Sequence, residues 1–124
     1  MRIKFFEMSK LSGCIFKSVT KTIDEIIFTT DDGREFHLGH INECCEEVWL
    51  EDVVGDLSDL ENAIILVSEE VENRYLPPPE NRSVDDCYTW TYYNFGTLKG
   101  SVQVRFFGTS NGFYSETADL YEIL

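Results

Sequence analysis

The sequence predicts a mainly β domain, an antiparallel sheet with one or two short helices. Three observations predict it. The last third contains three β-rich segments, Tyr88 to Phe95, Ser101 to Phe107 and Phe113 to Leu120, separated by loops that contain Gly. The first half contains shorter β-rich runs at Ser12 to Lys21 and Ile26 to Thr30, and another follows at Ala63 to Val71. Asp31-Asp32-Gly33 punctuates one of them with a turn that Gly33 can close at positive φ.

Taken in order, Ser12 to Lys21 alternates Ile15, Lys17 and Val19 with other residues and has the β-branched content of a strand. Ile26 to Thr30 and Arg34 to Leu38 form a hairpin across the Asp-Asp-Gly turn. Val48 to Glu51 is a short strand. Asp56 to Asn62 reads as one or two helical turns, with Asp56 as N-cap and Asp59 in the first turn. Pro77-Pro78-Pro79 is a stiff extended connector without backbone donors. The last three segments form a C-terminal three-stranded meander. Pairing Phe95 with Ser101 and Phe107 with Phe113 puts Trp90, Tyr92, Val102, Val104, Phe106 and Tyr114 on the core face. Tyr93, Arg105, Phe107 and Phe113 then share the other face. Glu116 falls on the apolar face in this register, which predicts a bulge or slip.

A chain of 124 residues is the size of one domain, here 1–124. It is 43% hydrophobic, far from disordered composition. Twenty-three acidic residues face ten basic ones, for a formal net charge of −13. Broad attraction to nucleic acid or to anionic membranes is therefore not expected. No apolar run approaches the ~20 residues of a membrane span. Glu7 interrupts any apolar stretch near the start, so no signal peptide is expected and the cytoplasm is the default location. Cys14, Cys44, Cys45 and Cys87 then read as reduced thiols packed as small hydrophobes, since adjacent cysteines rarely close on each other.

The charge is unevenly placed. Residues 43–80 hold twelve acids against Arg74, whereas the two flanks are close to neutral. This block reads as a solvated face that confers solubility, as a mimic of DNA phosphates, or as a calcium site, although Glu51, Asp52, Asp56 and Asp59 lack EF-hand spacing. His37, His40, Cys44 and Cys45 contain ligand-type residues, but a zinc site needs four converging at roughly 2.0–2.3 Å. With no nucleophile, metalloprotease or phosphate-loop pattern, no enzyme activity and no cofactor are expected.

Nine of the seventeen aromatic residues lie between Tyr88 and Tyr114. Aromatic faces stack on nucleobases and a guanidinium pairs with phosphate, whereas the same rings can equally pack a β core or a dimer interface. The candidate ligand contacts are Arg105, Tyr93, Phe107, Asn111, Phe113, Tyr114, Arg82 and Lys99. Arg105 is the leading phosphate partner and Asn111 is placed to read a ribose or base edge.

Several segments together resemble a family of phage and prophage proteins. They are Glu43-Cys44-Cys45-Glu46-Glu47-Val48, Glu51-Asp52-Val53-Val54-Gly55-Asp56-Leu57, Tyr88-Thr89-Trp90-Thr91-Tyr92-Tyr93, and Arg105-Phe106-Phe107-Gly108 running through Ser110-Asn111-Gly112-Phe113-Tyr114-Ser115-Glu116. The resemblance runs from about Leu11 to about Tyr121 and is to the first class of Thoeris anti-defence proteins. It implies a small, mostly β homo-oligomer that binds a cyclic ADP-ribose isomer made by a TIR-domain enzyme and sequesters it uncleaved. It also implies cyclic oligonucleotides as a second ligand at a separate site. Nanomolar capture corresponds to about −12 kcal/mol and needs several desolvated contacts. The alternative is an acidic DNA mimic that docks on a basic host protein.

Overall fold

The computed structural model describes residues 2–124. These residues form nine strands in two antiparallel sheets. In chain order they are β1 (Ile3–Phe6), β2 (Ser18–Lys21), β3 (Ile26–Thr29), β4 (Glu35–Gly39), β5 (Glu47–Val54), β6 (Val67–Asn73), β7 (Cys87–Thr97), β8 (Gly100–Ser110) and β9 (Asp119–Ile123). The first sheet has the order β1-β9-β4-β3-β2 and the second β5-β8-β7-β6. The mainly β, antiparallel class read from the sequence is the class observed. The short helical segments are two single 3-10 turns, Met8–Leu11 and Leu57–Leu60. Asp56 caps the second by accepting from the Ser58 N–H, as its position predicts.

One apolar core lies between the sheets. Phe28 of β3 meets Phe95 of β7 at a ring-centroid distance of 5.4 Å, and Phe16 packs on Phe28 at 5.1 Å. Phe36, Leu38 and Leu120 on one side and Val102, Val104 and Phe106 on the other complete it. The β3–β4 hairpin forms across Asp31-Asp32-Gly33, with Gly33 at φ 88° and the Arg34 N–H bonded to Thr30 Oγ1 at 3.0 Å.

The C-terminal register differs from the one expected. β7 and β8 are joined by the two-residue turn Leu98-Lys99, so Thr97 pairs with Gly100 and Phe95 with Val102. The shift is a single residue, and side chains alternate with period 2, so the faces of β7 exchange. Tyr93 and Phe95 enter the core, while Trp90 and Tyr92 face outward. Val102, Val104 and Phe106 are core residues as expected.

The third meander strand is not Phe113 to Leu120. β8 continues to Ser110, and residues 111–118 then leave it and cross to the first sheet, where β9 pairs with β1 and β4. Glu116 anchors the departing segment. Its carboxylate accepts from the hydroxyls of Thr89, at 2.7 Å, and of Ser110, which pins the segment across β7 and β8. The meander that does form is β6-β7-β8.

In the first sheet, His37 lies between two carboxylates. Its Nδ1 is 3.1 Å from Glu25 Oε2 and its Nε2 is 2.6 Å from Glu35 Oε1. Tyr121 stacks on the ring and donates its own hydroxyl to Glu25. Burial disfavours the imidazolium, but Glu35 and Glu25 outweigh it and hold the pKa above its usual 6.5. A raised folded-state pKa stabilises the fold fully below pH 6.5, and this contribution is lost as pH rises through the folded value. The melting temperature of the native chain should therefore fall more steeply above pH 6.5 than that of His37→Gln, in parallel thermal melts.

Candidate functional site

The outward face of the second sheet carries the chemistry. Its cross-strand rows are set by register: Trp49 beside Phe107 beside Trp90, and Asp52 beside Arg105 beside Tyr92. Rings in the first row stack or meet edge-on, with Trp49 and Phe107 nearly parallel at 6.1 Å and Trp90 and Phe107 at 5.1 Å. Tyr88 adds a third contact to Phe107 at 5.6 Å. Such cross-strand aromatic pairs contribute beyond simple area burial.

The connection between β6 and β7, residues 74–86, lies over this row as a strap. Tyr88 Oη donates to the Leu76 carbonyl and Trp90 Nε1 to the Pro77 carbonyl, both at 3.0 Å. Arg82 lies over Trp49, 4.4 Å from the ring centroid, and its Nε donates to Glu51 Oε1 at 2.5 Å. β5 shifts register between Leu50 and Asp52, and Glu51 is the residue at that bulge. A bulge re-aims its side chain, and here the carboxylate reaches Arg82. Under the strap Phe107 is fully buried.

Beside the strap the face is open. Arg105 lies over the Tyr92 ring at 5.6 Å and donates from Nε to Gln103 Oε1 at 2.6 Å. Gln103 Nε2 in turn donates to Asn94 Oδ1 at 2.9 Å. Among the described residues Arg105 makes no ion pair, although Asp52 is its register partner. Asn94 and Gln103 line a cleft of about 440 Å³ whose apolar floor includes Val54 and Val67. Among the described residues no carboxylate lines this cleft, and Glu69 at its edge accepts from Asn94 Nδ2 at 3.2 Å. A guanidinium, two carboxamides and an aromatic ring beside an apolar pocket can pair an anion, read polar edges and cover a planar ring.

Two other clefts differ in charge. One, about 580 Å³, lies against Glu7, Glu70 and Asp119 and disfavours an anion. The second, about 520 Å³, is lined by Arg74, Tyr88 and Tyr114, together with Glu72, Asp86 and Glu116.

Of the residues expected to bind ligand, Arg105, Phe107 and Arg82 lie on this one outward face. Tyr93 does not. It points into the core, where its hydroxyl donates to the Ala118 carbonyl at 3.1 Å and accepts from the Ala118 N–H at 3.0 Å. Burial, with the Glu70 carboxylate nearby, raises its pKa well above the phenol range. Lys99 sits at the far hairpin turn and is spent on the carbonyls of Ser58 and Glu61. Asn111 caps the Phe113 N–H in the loop after β8, and Phe113 is exposed with Tyr114 packed against it. These three lie in the loop beyond the end of β8, off the Arg105 face. Of the residues that sequence reasoning missed, Gln103 is two positions from Arg105 on β8 and shares its face in either register, whereas Tyr92, Trp90, Asn94 and Trp49 become cross-strand neighbours of Arg105, Phe107 and Gln103 only in the observed register.

The acidic block is not uniformly a solvated face. Glu46 is buried, and burial pushes its carboxyl up. The N–H groups of Cys44, Glu43 and Glu46 itself, together with His40, outweigh that and bring it down to about 2. His40 also bonds the Thr117 carbonyl, so the two histidines are committed to separate carboxylates. Beside this anchor Cys44 and Cys45 are joined as a disulfide, where two reduced thiols were expected; the chain bends there and leaves both cysteines at the surface. Cys14 and Cys87 are free, the first partly buried against the core and the second exposed. Among the described residues no helix is long and apolar enough to cross a membrane, and no cluster of three or more His, Cys, Asp or Glu side chains is arranged to hold a metal ion.

No curated protein and no solved structure matches the chain. A family profile described as a domain of unknown function does match, over residues 9–120, which takes in every strand except β1 and the end of β9. The chain belongs to the DUF7448 family.

Proposed function

We propose that the chain is a phage-encoded capture protein that binds a cyclic nucleotide signal of the glycocyclic ADP-ribose type. It holds the signal uncleaved in the cytoplasm of the infected bacterial cell and so blocks Thoeris TIR signalling. The observation that carries this reading is Arg105, a guanidinium that makes no ion pair among the described residues, lies on Tyr92 and is aligned by Gln103 and Asn94 beside a cleft. In this arrangement Arg105 pairs the pyrophosphate, the carboxamides take ribose hydroxyls, and Tyr92 covers the adenine. The cleft holds only part of so large a ligand. A second subunit of a homo-oligomer supplies the remaining wall. The sequence resemblance set out above, which spans nearly the whole chain, supports the same ligand class.

The net charge of −13 repels the signal at long range, but at physiological salt repulsion beyond ~8 Å is screened. Arg105→Ala is expected to weaken binding by about 2–4 kcal/mol, roughly 30- to 1,000-fold, by calorimetric titration with glycocyclic ADP-ribose. Its circular dichroism should stay unchanged, because the side chain lies outside the core. Unaltered affinity in a folded Arg105→Ala variant would remove the proposed site.

A second reading follows from the edges of the second sheet. Both edge strands are acidic, with Glu47, Glu51 and Asp52 on β5 and Glu69, Glu70 and Glu72 on β6. These edges present negative charge to a basic DNA-binding protein, with Glu51 already held by Arg82. The two readings predict opposite sensitivities. Capture tolerates Glu47→Gln with Glu72→Gln, whereas a DNA mimic loses its partner to that pair and tolerates Arg105→Ala.

A further inference from the structure

We propose that Glu69, an exposed acid of β6, is the positioning residue of the Arg105 site: through Asn94 and Gln103 it fixes how the guanidinium and both carboxamides face the cleft. The ligand named for this site rests on the capture reading above, whereas the positioning itself does not. Register sets the row. Glu69 is the direct partner of Asn94 on β7, and Asn94 of Gln103 on β8, with Arg105 next on the same face of that strand. Hydrogen bonds run along the row in one direction. Arg105 Nε donates to Gln103 Oε1 at 2.6 Å, Gln103 Nε2 to Asn94 Oδ1 at 2.9 Å, and Asn94 Nδ2 to Glu69 Oε1 at 3.2 Å.

The two ends dictate that direction. An ionised carboxylate only accepts and a guanidinium only donates. Asn94 must therefore turn its amide nitrogen to Glu69, and Gln103 must turn its carbonyl to Arg105. Reversing either carboxamide would set N–H against N–H or oxygen against oxygen. Opposite charges at the ends polarise every link in the same sense. Asp52 offers no substitute: it is the register partner of Arg105, but its carboxylate accepts from the Val53 N–H at 2.8 Å. Each carboxamide spends one N–H and one carbonyl lone pair on the row and keeps one of each for a ligand, and both side chains line the cleft. A ribose hydroxyl accepts from such an N–H and donates to such a carbonyl. The orientation that Glu69 imposes thus decides which arrangement of hydroxyls fits.

The test compares Glu69→Gln with Glu69→Ala. Both remove the charge, but only Gln keeps an acceptor for Asn94, so their ratio separates the row from long-range electrostatics. In calorimetric titration with glycocyclic ADP-ribose, Glu69→Ala should bind about three- to tenfold more weakly than Glu69→Gln. In an Asn94→Ala background the row is cut next to Glu69, and the two variants should bind alike. The ligand-free protein gives a second readout. In heteronuclear NMR spectra the side-chain amide signals of Asn94 and Gln103 and the Arg105 Nε–H signal should move together in Glu69→Ala and return toward their native positions in Glu69→Gln. They should stay unmoved in Glu72→Ala, because Glu72 pairs with Thr91 and lies on the opposite face of β6. Unmoved Gln103 and Arg105 signals in Glu69→Ala would overturn the proposal, as would a difference between the Glu69 variants that survives Asn94→Ala. Moved signals in a native chain that binds no ligand would uphold the row and contradict capture. Binding by the native chain with equal affinities of the two Glu69 variants would overturn the positioning role and leave capture standing.

Discussion

Phe28→Ala is expected to destabilise the fold by about 3–5 kcal/mol, the usual range for emptying a buried phenylalanine site. Phe28 is fully buried and is the ring through which the sheets meet, touching Phe16 at 5.1 Å and Phe95 at 5.4 Å. The cavity cannot collapse easily, because strands held by ladder hydrogen bonds line it on both sides. For a chain of 124 residues the loss corresponds to a fall of about 10–20 °C in melting temperature. Phe113→Ala is the control, since that ring is 82% exposed and its removal should shift the midpoint very little. Equal effects of the two substitutions would mean that the sheets are not joined through this cluster.

Gly108→Ala is the second large effect, and its origin is backbone contact. A Cβ at position 108 would clash with the Glu116 carbonyl oxygen and lie 2.7 Å from its carbon. Backbone atoms cannot rotate away as a side-chain tip can, so residues 113–118 would have to lift off β8. That movement would strain the hydroxyl bonds of Thr89 and Ser110 to Glu116 and the Tyr93 bonds to Ala118. The cost is expected to be on the order of 2–4 kcal/mol, at or above the upper end of ordinary overpacking. Hydrogen exchange should place the loosening in residues 111–118 and β9 while β7 stays protected. Gly33→Ala is the contrasting case. Nothing lies near its Cβ, and its cost is confined to the positive φ of 88°.

Much of the fold was legible in the sequence because short-range physics fixes it. Asp31-Asp32-Gly33 specifies its own hairpin, Asp56 caps its own 3-10 turn, and the β-branched runs of β3 and β8 place their core residues directly. Register was not legible to the same degree. A five-residue loop and a two-residue turn are both compatible with Gly96 to Gly100, and the one-residue difference reverses β7. That single slip exchanged Tyr93 for Tyr92 beside Arg105. The end of the meander was hidden for a different reason. Glu116, a misfit in the expected register, leaves the ladder to accept two hydroxyls, and this long-range bond has no signature in local composition. Arg105 itself stood out from the residues alone as an arginine in aromatic company, and the face it occupies confirms that company while changing its members.

The defining property proposed for this face is capture of a nucleotide without transforming it. The most direct measurement is calorimetric titration of the purified protein with glycocyclic ADP-ribose, followed by heat denaturation and chromatography of the released small molecule. Tight binding with the ligand recovered intact, and lost in Arg105→Ala, is the predicted result. Absence of heat with any cyclic ADP-ribose isomer, or recovery of a cleaved product, would contradict it.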